Sequence, residues 1–401
     1  MHLVESFSLS TGLKIDKPYI YDSYMPLPIS AEKYISFQPW GKTEVDARVY
    51  PYWGEVLNIL RPYLNETNTP VIQIGSKNEP PVQGAVSLLG KTNLNQAAYI
   101  IKNSALHLGV DSFGVHMASG FGKKIVALYS NMLPSQCGPY FSDKEDAICL
   151  SSLEEGEKAS YVYHEDPKTI KRIKPEDIAK AVLKLLGVEY KYEFKTLHMG
   201  EEYEFQRVEI IPDNFVQNWK DFELDSAIMR MDKSFNEQML INQLQICPCS
   251  IVTRSQINID IIKAFKEKIV ELIFYIDEST DTDYVQQLKS TGAKLYLLCD
   301  LEEKDFNKIK LNYLDLASII HRPKITKEEA LKKIGRDSAE GLYFKSGTSI
   351  VTASGLFSDF AHAKLGKNNI NNHRFMEPLP IVDLPEFWED SDRMMFLEKT
   401  S

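Results

Sequence analysis

The stretch LLGKTNLNQAAYIIKNSALHLGVDSFGVHMASGFGKKIVALYS, Leu88 to Ser130, decides how the chain folds. Leu106 to Val110 is apolar and short enough for a buried strand. Asp111 to Gly114 supplies turn residues, and a helix follows from about Val115 to Gly120. Lys124 to Tyr129 reads as the next strand. Upstream, Thr92 is placed to cap a helix over Asn93 to Asn103. Strand, turn, helix and strand at this spacing predict a parallel, doubly wound sheet. Ligands of such sheets sit at the carboxyl ends of the strands.

Working outward, Lys33 to Phe37 is a strand candidate, followed by the loop Gln38-Pro39-Trp40-Gly41-Lys42. Pro51 opens a helix with Trp53, Val56, Leu57 and Leu60 at helical spacing, and Pro62 is expected to end it. Pro70 to Ile74 and Ala147 to Leu150 add strands. Pro175 to Leu186 is an amphipathic helix closed by Gly187. Residues 1–190 thus form a first Rossmann-like domain. Residues 191–249 read as an irregular connector, with strand-like character at Val208 to Ile211. Residues 250–370 alternate again and predict a second Rossmann-like domain, in which Gly355 to His362 turns helical. Residues 371–401 form an acidic, proline-containing tail expected to pack on a surface or fray.

The composition narrows the class. The 401 residues carry a formal net charge of −10, with 43% hydrophobic and 25% charged residues. This is a globular profile, and at roughly 150 residues per domain it suits two domains. The acidic balance argues against duplex nucleic acid as a partner. Five scattered cysteines do not make a disulfide framework, and Cys247-Pro-Cys249 reads as two small buried residues. No stretch reaches the roughly 18 apolar residues of a membrane span, and Met1 to Ser10 lacks the pattern of a secretory signal. A cytoplasmic location is the expectation.

The chemistry concentrates after Val110. A strand ending at Asp111, small residues Ser112 and Gly114, and a helix starting near His116 aim backbone N–H groups and a helix dipole at the ligand crevice. A pyrophosphate suits that cradle. A strand-to-helix turn with a capping Asp and a packed His is the structural alternative. Asp281-Thr282-Asp283 looks like a metal-holding DxD, but it precedes a helix that Asp281 would cap. His107, inside a strand, reads as packed.

The segment resembles the heptosyltransferase-like glycosyltransferases, family nine, of two-domain GT-B architecture. The matching residues are Leu89-Gly90-Lys91-Thr92-Asn93-Leu94 and Asp111-Ser112-Phe113-Gly114-Val115-His116-Met117-Ala118. Arg48 to Trp53 and Ile74 to Glu79 resemble two upstream elements, so the likeness spans about residues 30–190. It implies a domain that binds a nucleotide-diphospho-sugar. Ser112, Phe113 and Gly114 would hold the diphosphate, His116 a phosphate or sugar oxygen, and Glu79 the ribose. Leu89 to Thr92 would line the base. Lys42 would neutralise the leaving diphosphate, and Lys91 and Asp111 are further candidates. The implied reaction is inverting glycosyl transfer to a glycan, lipid-linked saccharide or other hydroxyl acceptor, without metal or cofactor.

Two departures stand out. Phe113 occupies the position where the family has glycine. The donor-like domain comes first here, so the domain order is exchanged if the second domain faces the cleft. Its strand ends would then supply the base, at Asp277 or Glu278 ahead of Arg254, Ser255, Asp300 and His321. The rival expectations are an inactive scaffold and a cleft completed by a partner chain. The oligomeric state is open, a homo-oligomer included.

Overall fold

Every side chain of the first strand, β1 (Ile35–Gln38), is buried, so this strand lies inside its sheet rather than at an edge. The computed structural model describes residues 1–41, 45–189, 191, 193–203, 206–371, 373 and 377–400. The chain divides into two units, Met1–Tyr192 and Glu193–Ser401.

In the first unit, α1 (Leu3–Thr11) precedes β1. Then come α2 (Trp53–Glu66), β2 (Val71–Gln73), β3 (Val86–Ser87), α3 (Leu94–Asn103), β4 (Leu106–Val110), α4 (Phe113–Gly120), β5 (Ile125–Tyr129), α5 (Pro134–Cys137), β6 (Ala147–Ser151) and α6 (Pro175–Leu186). The strands are parallel, in the order β3-β2-β1-β4-β5-β6. The winding direction reverses between β1 and β4, so right-handed crossovers place helices on both faces. Ile125, Ala127 and Tyr129 of β5 pack with Ile100 of α3 and Val115 of α4. Val126 and Leu128 alternate to the other face, where α6 approaches β4 and β5 and α2 packs on α6. Trp53 of α2 meets Phe37 of β1 edge-on at 5.0 Å.

Local signals set the helix ends, with small shifts. Asn93, not Thr92, caps α3, because its side chain accepts from the Gln96 N–H while the Gln96 side chain accepts from the Asn93 N–H. Pro62 does not end α2; it lies inside the helix, which runs on to Glu66. Pro175 opens α6, and Gly187, left-handed at φ 78°, closes it.

The second unit contains β7 (Phe194–Met199), β8 (Arg207–Ile210), β9 (Ala227–Arg230), α7 (Glu237–Ile246), β10 (Cys249–Thr253), α8 (Ile259–Ala264), β11 (Ile269–Tyr275), α9 (Thr282–Ser290), β12 (Leu295–Cys299), α10 (Glu303–Ile309), β13 (Ser318–His321), α11 (Lys327–Ile334), β14 (Leu342–Ser346), β15 (Thr348–Thr352), β16 (Gly355–Phe357), α12 (Phe360–Leu365), β17 (Leu379–Pro380), α13 (Pro385–Glu389) and β18 (Met394–Lys399). Its main sheet runs β13-β12-β11-β10-β9-β8-β15-β16, parallel except for the β15–β16 hairpin. From β8 to β13 the strands follow in chain order. A constant crossover direction puts every crossover helix on one face. There Leu240, Leu244, Ile262, Val285, Leu288 and Ile309 cover Met229, Ile251, Leu272, Phe274, Leu297 and Cys299.

Both units are therefore α/β with parallel sheets. Three segments differ from the sequence reading. The expected connector, residues 191–249, supplies β7, β8, β9 and α7. Its strands are short, and Ala227 and Met229 become core only once their neighbours pair. The expected tail is core as well: β18 pairs with both β14 and β7, and Phe387, Trp388 and Phe396 are fully buried. Gly355 to Phe357 turns back as a strand on β15 instead of starting a helix. All five cysteines are free, with Cys247 and Cys249 buried. No helix among the described residues is long and apolar enough to cross a membrane.

Candidate functional site

A cavity of about 790 Å³ opens in the first unit where the winding reverses, lined in part by Gln38, Gly75, Ser76, Glu79, Thr92 and Ser112. It lies at the carboxyl ends of β1, β2 and β4, the crevice that a doubly wound sheet offers to ligands.

Gln38 ends β1 and fastens the turn after β4. Its Oε1 accepts from the Gly114 N–H at 3.0 Å, and its Nε2 donates to Ser112 Oγ at 3.1 Å. A Cβ at position 114 would lie 2.5 Å from Gln38 Oε1 and 2.7 Å from His107 Nε2, so only glycine lets the turn close this tightly. The Gly114 amide thus points inward, while Ser112 and Phe113 border the cavity. Beneath the turn, His107 is fully buried and accepts or donates at Ser36 Oγ, 3.0 Å away. Burial pushes its pKa down to about 3, so the ring is neutral.

Asp111 is the buried anchor of this region, 4% exposed. Arg48 Nη1 stands 3.2 Å from its Oδ2 and also donates to its backbone oxygen at 3.0 Å. Arg48 Nε donates to Asn131 Oδ1 at 3.1 Å, and the Cys137 thiol lies 3.5 Å from Asp111 Oδ2. His116 sits on the first turn of α4, its ring half-exposed, with Nε2 3.8 Å from Asp111 Oδ1. Burial holds its pKa below the ordinary value, against the opposing pull of Asp111.

Glu79 enters from the loop after β2. Its Oε2 is buried and has no hydrogen-bond partner among the described residues. A Cβ on Gly75 would collide with that oxygen, so the carboxyl packs directly on the β2 exit. Burial raises its pKa, opposed by hydrogen bonds from Ser76. Thr92 borders the cavity ahead of the α3 cap, whereas Lys91 is exposed and its N–H donates to Leu88 O at 3.0 Å. Lys42 lies outside the described residues; its neighbour Gly41 borders the cavity.

The structure therefore brings Ser112, Phe113, Thr92 and Glu79 together at one cavity, with Asp111 and His116 adjoining along β4 and α4. Gln38 and Arg48 carry much of this geometry and were absent from the site read in sequence. The signal available for Gln38 was its place after the first strand, beside the reversal of winding.

The acid/base candidates belong to the second unit. Asp277 Oδ1 accepts from the Ser279 N–H at 2.8 Å, from Ser279 Oγ at 2.7 Å and from Thr280 Oγ1 at 3.3 Å. These bonds hold its carboxyl below the usual range, the Ser279 hydroxyl most of all. Glu278 is largely exposed, 3.7 Å from Lys308 Nζ. Arg254 pairs with Asp300 at 2.5 Å. His321 stacks on Phe306 at 4.2 Å, and its Nε2 lies 2.8 Å from Leu301 O. Asp281 accepts from the Asp283 N–H and caps α9, the role read for it from sequence.

No curated protein matches the chain. Among solved structures, a glycosyl transferase of family 9 from Veillonella parvula aligns at 21% identity, over 46% of this chain and 50% of its own, with a TM-score of 0.31. An ADP-heptose lipopolysaccharide heptosyltransferase II from E. coli aligns at 20% identity over the same shares, also with a TM-score of 0.31. The alignments thus span about half the length of those proteins. Residues 20–168 match the family model described as glycosyltransferase family 9 (heptosyltransferase), and the first unit is identified as resembling that family.

Proposed function

We propose that the chain is a glycosyltransferase whose first unit binds a nucleotide-diphospho-sugar. The observation that carries this reading is the unpartnered Glu79 oxygen in the crevice. A buried carboxylate oxygen without a donor calls for hydroxyl or N–H groups from a ligand, and vicinal ribose hydroxyls supply two. The diphosphate then lies toward Ser112 and the start of α4, where a helix N-terminus favours anions. The nucleobase lies along Thr92 to Leu94, and His116 reaches a phosphate or sugar oxygen.

The acceptor hydroxyl attacks the anomeric carbon, the carbon–oxygen bond to the diphosphate breaks, and the diphosphate leaves with the electron pair. Attack from the face opposite the leaving group inverts the centre. Lys42 and the α4 dipole offset the departing charge, and the neutral His116 ring donates a hydrogen bond to it, without a metal. A base takes the hydroxyl proton. Asp277 is poorly suited to that role, since the turn that holds its carboxyl low makes it a weaker base.

A second reading is a domain that binds without catalysing. It is favoured by Gln38, which already occupies the Gly114 N–H and engages the Ser112 hydroxyl. A thermal-shift screen against ADP-, GDP-, UDP- and CDP-sugars and the free diphosphates tests both. Ligand at about 100 times Kd adds roughly 2.7 kcal/mol of stability. A shift with one nucleotide class, lost in Glu79→Ala, supports the donor site, and release of that diphosphate on adding acceptor hydroxyls supports transfer. A shift without release supports the binding domain. No shift with any of them removes both.

A further inference from the structure

All-parallel sheets are ordinarily covered on both faces, yet the crossover helices of the second unit all lie on one side of β8 to β13. The opposite face forms the floor of a groove of about 700 Å³. That volume falls within the roughly 300–1,000 Å³ of small-molecule sites. Ile228, Val252, Ile273 and Leu298 give the floor an apolar surface. Ile320, at its margin, is 41% exposed.

Planar polar side chains stand over this floor. The Arg254 guanidinium lies 3.7 Å from the centre of the Tyr275 ring and bonds Asp300. Arg230 donates to both oxygens of Asp232 at 2.8 Å. Arg322 reaches Glu202 at 3.3 Å, and its Nη2 is buried with no partner among the described residues. Seven Lys or Arg and eight Asp or Glu line the groove, so it has almost no net charge. A polyanion gains little there. A molecule with many hydroxyls, each both donor and acceptor, matches interleaved guanidinium and carboxylate groups. The C–H face of a sugar ring suits the apolar floor beside Tyr275.

We propose that this groove is a saccharide-binding site and takes a neutral sugar of more than one ring. The assignment rests on the second unit alone and stands or falls apart from the donor reading of the first.

Saturation-transfer NMR on the full chain tests it, with cellobiose, lactose and N,N′-diacetylchitobiose as millimolar probes and inorganic phosphate as competitor. Transfer to ring protons of at least one disaccharide is expected. It should vanish in Arg254→Ala and Tyr275→Ala, persist in Glu79→Ala, and be insensitive to phosphate. Arg254 is partly exposed, so its variant keeps the test valid if Tyr275→Ala fails to fold. Absence of transfer from all three sugars overturns the proposal, as does transfer undiminished in Arg254→Ala. Displacement of the sugar by phosphate would show an anion site instead and would also overturn it.

Discussion

The two parallel sheets obey one crossover rule and reach opposite results. In the first unit the strand order reverses at β1 and β4, helices close both faces, and a crevice is left at the strand ends. In the second unit six strands follow in chain order, one face is closed, and the other is a charged groove. Strand order decides whether the cavity opens at the ends of a sheet or along its face.

The open face is held together by charge, and removing a charge there should be the costliest change. Arg230 joins Glu209 and Asp232, and Arg393 reaches Glu209 at 2.9 Å and Glu202 at 3.2 Å. Arg230→Ala removes the arginine paired with buried Asp232 and leaves Glu209 with Arg393 alone, and should cost about 3–5 kcal/mol in urea unfolding. A loss under about 1 kcal/mol would mean water already solvates the cluster. The arginines hold the Glu209 carboxyl below its ordinary pKa of 4.5 against the cost of burial. A carboxyl lowered on folding stabilises above its unfolded pKa, so this contribution should fade as the pH drops below about 4.5.

Neighbouring residues of β11 sharpen the contrast between faces. Leu272 is buried under the helices, and Ile273 faces the groove. Leu272→Ala should cost about 2–5 kcal/mol, and Ile273→Ala about 1 kcal/mol. Equal losses would show that something covers the second face.

The first unit was legible where pattern and position coincide. The run from Leu106 to Tyr129 fixed two strands, the turn between them and the crevice, because apolar runs and small residues alternate there at close spacing. The roles of Gln38 and Arg48 were not legible. Each acts across the sheet on a turn more than sixty residues away, and no local pattern marks such a partner. The open face was hidden for the same reason. Ser250, Glu271 and Tyr275 look like ordinary strand residues until the strand order is known. Short strands such as β9 and the Phe387–Trp388 core of the last segment gain their burial only from tertiary pairing.

Smaller effects test the crevice itself. Gln38→Leu strands the buried Gly114 N–H and should cost about 1–3 kcal/mol in thermal or urea unfolding; a neutral result would mean the turn is held by other contacts. His107 should make the first unit acid-sensitive before its carboxylates titrate. An unfolded His binds a proton near pH 6.5, whereas this one does so only near pH 3. Stability is therefore full above 6.5 and declines as the pH falls, by about 1.4 kcal/mol per pH unit at most from this group. Comparing urea midpoints at pH 7 and 5.5 for the native chain and His107→Gln checks this, and an equal drop in both would refute it.

The most direct measurement is a crystal structure of the chain with whichever nucleoside diphosphate gives the largest thermal shift. Ribose hydroxyls should lie within hydrogen-bond distance of the Glu79 carboxylate, the base beside Thr92, and the diphosphate at Ser112 before α4. A nucleotide bound elsewhere, or one in this crevice that leaves Glu79 Oε2 without a partner, would contradict this placement.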